Sequence, residues 1–179
     1  MRRGGTGSMQ FRRKWRLRWL SLLFGLTIAG VFAELSLRIL GVGYPQPYQP
    51  NEFCGSRLRP YLRGVWITEG FGHVAVNSLG FRGPEFEAIQ DSEVQRVVVL
   101  GDSFIEALQV DYDQSLCGLL SAYLNSRSHI DSFNCEVINA GNSGYGTAQQ
   151  LLMLQHYVLP LKPDLVLLAV YPENDIRNN

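Results

Sequence analysis

The stretch Arg96-Val-Val-Val-Leu-Gly-Asp-Ser-Phe-Ile105 constrains the fold of this chain more than any other. Four consecutive apolar residues, three of them β-branched, predict a strand that is buried on both faces. A Gly-Asp-Ser turn follows, so Ser103 lies at the carboxyl end of that strand. In open α/β sheets, ligands bind beyond the carboxyl ends of the strands. Ser103 is therefore a candidate nucleophile, and the alternative is that it only caps the next helix.

Two more strands follow, alternating with helices. Residues 135–139 and 165–171 are short apolar segments, and the second is apolar on both faces, which predicts an interior strand. Residues 147–159 predict a helix that ends at Pro160. The alternation of strands and helices predicts parallel βαβ units with right-handed crossovers.

The helix after the first strand is predicted from an apolar stripe at helical spacing, with Asp111 or Asp113 as its cap. The stripe consists of Leu116, Leu119, Leu120, Tyr123 and Leu124. These side chains are expected to face the sheet.

Polar residues follow each of the three strands, in residues 101–103, 139–146 and 172–175. Because the strands are predicted to be parallel, these segments converge on one edge of the sheet. Acyl transfer needs a nucleophilic oxygen and donors aimed at the developing oxyanion. Ser103 supplies the oxygen and its own N–H, Gly144 a second backbone N–H, and Asn174 a side-chain donor. The simpler alternatives are a turn glycine and an Asx-turn asparagine.

Three short blocks of this sequence resemble the first three blocks of the SGNH hydrolases, also called GDSL esterases and lipases. They are Gly-Asp-Ser-Phe at 101–104, Asn-Ala-Gly-Asn-Ser-Gly at 139–144 and Glu-Asn-Asp at 173–175. The resemblance covers roughly residues 94–179. It implies a flavodoxin-like three-layer α/β/α sandwich, Ser103 as the catalytic nucleophile, and Gly144 and Asn174 as oxyanion-hole residues.

The sequence departs from that family at two points. Pro172 stands where the third block usually opens with glycine, and the last block, an Asp three residues before a catalytic His, is absent. A serine needs a base within hydrogen-bond reach. His129 and His156 are predicted too far from the crevice edge, and nothing positions His73.

The sixteen basic and sixteen acidic residues are segregated along the chain. Residues 1–18 carry seven positive charges and no negative one, whereas residues 41–179 carry fifteen acidic residues and eight basic ones. Phosphate neutralisation needs a basic surface, so the acidic body argues against nucleic-acid binding.

A lipid bilayer is the predicted partner of the basic N-terminus. Residues 19–33 carry no charge, and the apolar character continues to residue 40, interrupted only by Glu34 and Arg38, which are spaced to pair on a helix. Residues 19–40 would span about 33 Å, enough to cross the hydrocarbon core. The arginines keep the N-terminus in the cytoplasm and place the body outside it. A cleavable secretory signal is the alternative.

Residues 41–93 precede the first core strand. Residues 41–50 predict a stiff linker rich in proline and glycine, and the irregular remainder carries possible short strands at 64–68 and 73–77. Arg82 is a candidate to bind a ligand through its positive charge, although a surface arginine is the simpler interpretation.

Cys54, Cys117 and Cys135 lack metal-ligand spacing, so they are expected to be buried thiols or to include one disulfide.

These observations predict four segments: a basic cytoplasmic tail (1–18), a transmembrane signal anchor (19–40), a linker and pre-domain segment (41–93), and the N-terminal part of a hydrolase domain (94–179).

The predicted function is an extracytoplasmic serine hydrolase of ester bonds in a small molecule, lipid or glycan, without metal or organic cofactor. The alternatives are an O-acyltransferase on the same scaffold and a non-catalytic envelope protein. A nucleotide-binding βαβ unit is weaker, because the glycine spacing does not match the dinucleotide fingerprint. Since the base is missing and three parallel strands are few for a sheet, the chain is expected to be part of a longer hydrolase with little turnover of its own.

Overall fold

The structure is a computed structural model of the 179-residue chain. It describes residues 6–39, 46–89, 93–126 and 134–172. The chain divides into two compact units, Met1–Gly43 and Tyr44–Asn179.

The first unit is a single helix, α1 (Thr6–Ile39). Its segment Lys14–Ile39 is long and apolar enough to cross a membrane, with a mean hydropathy of 1.9. The Nε atom of Arg38 donates to the Glu34 carboxylate at 2.8 Å, as the spacing predicts. A membrane span and a signal sequence near the N-terminus both have this length and composition.

A three-stranded parallel sheet forms the centre of the second unit, which confirms the predicted parallel strands. It consists of β5 (Val94–Gly101), β6 (Asn134–Gly141) and β7 (Leu165–Leu168) in the order β6-β5-β7. Val97 pairs with Val137 on one side and with Leu165 on the other. The predicted nucleophile strand is therefore the central one.

Helices pack on both faces of this sheet. Val98 and Leu100 share a buried cluster with Met153 of α4 (Thr147–Met153), whereas Val97 and Val99 share another with Cys117 of α3 (Leu116–Ser126). This alternation follows the pleat, which turns successive side chains to opposite faces. The complete three-layer sandwich remains a prediction.

The predicted buried stripe of α3 is partly wrong. Leu116, Leu119 and Tyr123 are half or more exposed, and the buried positions are Cys117 and Gly118. A Cβ at Gly118 would lie 2.0 Å from the Tyr112 carbonyl oxygen, so this face of α3 approaches the 3₁₀ turn Tyr112–Gln114 too closely for any side chain. The small residues, rather than the leucine spacing, therefore decide which face is buried.

The predicted caps of α3 are also wrong. Asp111 begins the preceding 3₁₀ turn and makes no side-chain cap hydrogen bond there. The hydroxyl of Ser115 instead accepts the backbone N–H of Gly118 at 3.2 Å, so Ser115 supplies the cap.

The second predicted helix ends earlier than expected. After α4 the chain continues through a π turn (Leu154–Val158) and a 3₁₀ turn (Leu159–Leu161) that contains Pro160. Proline fits the first turn of such a segment, because the N–H groups there have no acceptor within the turn and the lack of one costs no hydrogen bond.

The third strand is shorter than predicted and lies at an edge of the sheet rather than in its interior. Leu165, Leu167 and Leu168 are 38–51% exposed. An apolar edge strand of this kind is open to further pairing.

Two antiparallel hairpins precede the sheet: β1 (Tyr48–Asn51) with β2 (Gly55–Leu58), and β3 (Arg63–Trp66) with β4 (Gly72–Ala75). β1 begins inside the predicted linker, whose residues 41–45 lie outside the described ones. Cys54 and Phe81 pack in the same cluster as Val98, so this segment shares a core with the sheet.

Cys54, Cys117 and Cys135 are buried free thiols, so the disulfide alternative is wrong.

Candidate active site at the end of the central strand

Ser103 lies where the sequence places it, at the carboxyl end of β5. It is the first residue of a single helical turn, α2 (Ser103–Glu106), and is half-buried. The carboxylate of Asp102 accepts the backbone N–H of Phe104 at 2.9 Å, so Asp102 caps this turn and Ser103 does not. In the part of the chain that the structure describes, the Ser103 hydroxyl makes no hydrogen bond to another residue.

Two glycines let α2 lie directly against the ends of the strands. A Cβ at Gly101 would lie 2.3 Å from a side-chain carbon of Ile105, and one at Gly141 would lie 2.3 Å from the backbone nitrogen of Glu106. The side chain of Asn139 adds a direct link, because its Nδ2 donates to the Ile105 carbonyl at 2.6 Å. The turn that carries Ser103 is therefore fixed to both β5 and β6.

Gly144 lies in the loop after β6. Its φ is +79°, a backbone conformation that side chains other than glycine's rarely adopt, and open space surrounds its α-carbon. The N–H of Asn142 donates to the Gly101 carbonyl at 3.1 Å, and the Ser143 hydroxyl donates to the Glu106 carboxylate. The Gly144 loop and the Ser103 turn are therefore joined by hydrogen bonds on two sides.

Asn174 lies outside the described residues. The chain that leads to it is described as far as residue 172, and the Tyr171 ring packs against the Phe104 ring with centroids 5.0 Å apart. A cleft of about 240 Å³ is lined by Asp102, Phe104, Ile105, Ala169, Val170 and Tyr171, so the residues on either side of Ser103 border it. The segments after β5 and β7 thus come together at this edge, whereas the position of the Asn174 side chain stays a prediction.

Glu106 is a buried carboxylic acid that the sequence analysis did not single out. Its side chain is at the end of α2, is 1% exposed, and accepts the Tyr48 hydroxyl at 2.8 Å as well as the Ser143 hydroxyl. Burial raises the pKa of Glu106 to about 6, and the hydrogen bonds from Ser143 and Tyr48 oppose that rise. No spacing pattern identifies it, because its partners lie 37 and 58 residues away in the sequence.

Arg82 is not a surface residue, so the simpler of the two interpretations is wrong, and a role for its charge in ligand binding stays a prediction. It is 1% exposed, and its guanidinium donates to the carbonyl oxygens of Glu106, Ala107 and Val110. Guanidinium is suited to this role, because it offers five N–H donors in a fixed plane. Arg82 therefore supports the backbone that follows the Ser103 turn.

The described histidines make contacts away from Ser103. His73 is exposed and its Nδ1 lies 2.9 Å from the Asp111 carboxylate, whose pKa the backbone N–H and the ring of His73 hold below its usual range. The ring of His156 stacks on Phe53 with centroids 3.8 Å apart. His129 lies outside the described residues. Among the described residues, no group of three or more His, Cys, Asp or Glu side chains is arranged to hold a metal ion.

Comparison with known proteins gives a distant likeness. No protein-family model matches the chain, and no curated protein matches it. Among solved structures, AlinE4, described as an SGNH-hydrolase family esterase, is similar over 50% of this chain and 51% of its own, with 28% identity and a TM-score of 0.34. Two alanine variants of that esterase match over the same shares, with identities of 26% and 28% and TM-scores of 0.36 and 0.34. The chain therefore spans about half the length of these structures.

Proposed function

We propose that residues 94–179 belong to an SGNH-type serine hydrolase domain that acts on ester bonds, with a three-layer α/β/α architecture. The observation that carries this proposal is the position of Ser103 at the carboxyl end of the central strand, with the capping role taken by Asp102. A serine whose hydroxyl is not used by the helix cap is available to attack a carbonyl carbon in the neighbouring cleft.

The proposed reaction begins when Ser103 Oγ bonds to the ester carbonyl carbon and loses its proton to a base. The carbonyl oxygen becomes an oxyanion, which accepts hydrogen bonds from the N–H groups of Ser103 and Gly144 and from the Asn174 side chain. The ester C–O bond then breaks, the alcohol leaves with a proton, and the acyl group passes from Ser103 to water or to another hydroxyl.

The base is not assigned to a described residue. His73 is engaged with Asp111 and His156 with Phe53. We propose that the base lies outside the described residues. The same observation favours a second candidate, a non-catalytic envelope protein that retains the site without its chemistry.

Covalent acetylation separates the two candidates without requiring turnover. We expect p-nitrophenyl acetate, at pH 8 with imidazole as added base, to acetylate Ser103 about a hundred-fold faster than the exposed Ser126, since one oxyanion donor contributes roughly 10²–10³ in rate. Mass spectrometry of peptides gives both rates in one sample, with Ser103→Ala as the control. Equal rates at Ser103 and Ser126 would favour the non-catalytic protein.

We also propose that residues 19–40 anchor the body to the outer face of a membrane, with residues 1–18 in the cytoplasm. The support is the apolar helix Lys14–Ile39 together with the seven positive charges that precede the span. Expression with a C-terminal tag in a bacterial host tests this proposal. We expect a full-length membrane-bound chain whose tag is cleaved by protease in spheroplasts, whereas a shortened, released chain would identify a signal peptide.

A further inference from the structure

The carboxylate of Glu106 connects three separate segments of the second unit. Its own backbone belongs to α2, one helical turn after Ser103. Its Oε2 accepts the hydroxyl of Tyr48, from β1, and the hydroxyl of Ser143, from the loop after β6.

Burial of this carboxylate is costly, and the nearby charge of Arg82, which lowers the pKa of Glu106, offsets that cost only in part. Among the described residues no donor reaches Oε1, although that atom is buried. The nearby Arg82 directs its hydrogen bonds to backbone carbonyls and not to the Glu106 carboxylate. An apolar side chain of similar size would avoid this desolvation. The hydrogen bonds of Glu106 therefore fix the positions of Tyr48 and Ser143 more than they stabilise the fold.

Ser143 connects the Glu106 carboxylate to the candidate site. The peptide bond between Ser143 and Gly144 carries the Gly144 N–H, the proposed second donor to the oxyanion. Gly144 is exposed, and a Cβ at its position would meet open space. The Ser143 carbonyl of this peptide accepts a long hydrogen bond, 3.3 Å, from Asn142 Nδ2. The hydrogen bond from the Ser143 hydroxyl to Glu106 holds the peptide more firmly, because hydrogen bonds to a charged acceptor are about twice as strong as neutral ones.

We propose that Glu106 is a positioning residue: its carboxylate holds Ser143, and thereby the Gly144 N–H, in place relative to Ser103. Tyr48 fixes the carboxylate from the side of the first hairpin. This inference rests on the proposed function, since the position of the Gly144 N–H matters for catalysis only if Ser103 is acylated.

Hydrogen exchange in the full chain, purified in detergent micelles, tests the positioning directly. We expect Glu106→Gln and Ser143→Ala each to raise the exchange of amides 142–146 about ten-fold at pH 7.5. The double variant should also show about a ten-fold rise, because both changes act on the same hydrogen bond: Glu106→Gln replaces its charged acceptor with a neutral amide oxygen, and Ser143→Ala removes its donor. Ser143→Thr keeps the hydroxyl and should stay within about two-fold of the wild type.

Glu85→Gln is the matched control. Glu85 also accepts a serine hydroxyl, that of Ser78 at 2.7 Å, but it is exposed and lies before the sheet. Exchange of 142–146 should not change in this variant. Unchanged exchange in both Glu106→Gln and Ser143→Ala, or a hundred-fold rise in the double variant, would overturn the inference. If Glu106→Gln also loses protection of residues 94–101, and so fails to fold, the comparison of Ser143→Ala with Ser143→Thr decides.

Acetylation of Ser103 provides the second measurement. We expect Glu106→Gln to lower the maximal acetylation rate about ten-fold while the ester concentration at half-maximal rate changes less than two-fold. Faster exchange of the loop with an unchanged acetylation rate would contradict the inference and leave the proposed function intact. Absence of preferential acetylation in the wild type would contradict the proposed function, while the exchange result still decides whether Glu106 holds the loop.

Discussion

Single polar residues, each buried by specific partners, determine the geometry around Ser103. Asp102 caps the turn, Arg82 binds the carbonyls that follow it, and Glu106 holds the neighbouring loop. The sequence predicted Ser103 because an apolar strand followed by a Gly-Asp-Ser turn is a local pattern. Arg82 and Glu106 were not predictable in this way, since their burial depends on contacts with residues 24 to 58 positions away.

Removal of the Arg82 side chain tests its supporting role. We expect Arg82→Ala to lower the free energy of unfolding by about 3 kcal/mol or more, because three carbonyl oxygens lose a donor in the protein interior. Arg59→Ala is the control, since Arg59 is exposed and the one hydrogen bond that its side chain makes to a described residue, the Tyr48 carbonyl, is 3.5 Å long. It should change stability by less than about 0.5 kcal/mol in urea unfolding. Similar losses in both variants would argue against the role of Arg82.

The raised pKa of Glu106 predicts a pH dependence of stability. The folded protein binds this proton more tightly than the unfolded chain does, so the contribution of Glu106 to stability is complete below the unfolded pKa, near 4.5, and declines as pH rises through about 6. The difference in unfolding free energy between wild type and Glu106→Gln should therefore shift by about 2 kcal/mol between pH 4 and pH 7.5, to the disadvantage of the wild type. Urea unfolding at both pH values measures this shift, and a difference that is independent of pH would contradict the assignment.

At the scale of secondary-structure elements, the close approach of neighbouring backbones decides which face of a helix is buried where hydrophobic periodicity does not. The parallel strands were predictable, because each is a short apolar segment with a turn at its end. The buried face of α3 was not, since the leucine stripe competes with a face of small residues that fits against the Tyr112 carbonyl. The position of β7 at the edge was also not predictable, because an interior strand and an edge strand can have the same apolar sequence.

Two glycine substitutions separate a steric requirement from a conformational one. Gly141→Ala places a Cβ 2.3 Å from the backbone nitrogen of Glu106, so we expect a loss of about 3 kcal/mol in unfolding free energy. Gly144→Ala meets open space and is penalised only by its φ of +79°, which costs roughly 1 kcal/mol. Thermal unfolding ranks the two variants, and a larger loss for Gly144→Ala would show that α2 does not lie against the end of β6 as described.

At the scale of the whole molecule, the second unit combines a well-packed central strand with an apolar strand, β7, at one edge of the described sheet. Exposed apolar residues on β7 predict self-association through that edge. We expect Leu167→Lys to reduce the fraction of associated chains in detergent by at least about half, as measured by analytical ultracentrifugation. Leu159→Lys is the control, because Leu159 is even more exposed, at 53% against 38% for Leu167, but lies in the turn after α4, away from β7. Equal effects would indicate general rather than edge-directed association.

The proposed hydrolase function requires Ser103 to be a reactive hydroxyl rather than an ordinary one at the start of a helix. The ratio of acetylation rates at Ser103 and Ser126, measured in the same sample of the full chain, tests this most directly. We expect a ratio of about one hundred in the wild type, which falls about ten-fold in Glu106→Gln. A ratio near one in the wild type would contradict the proposed function.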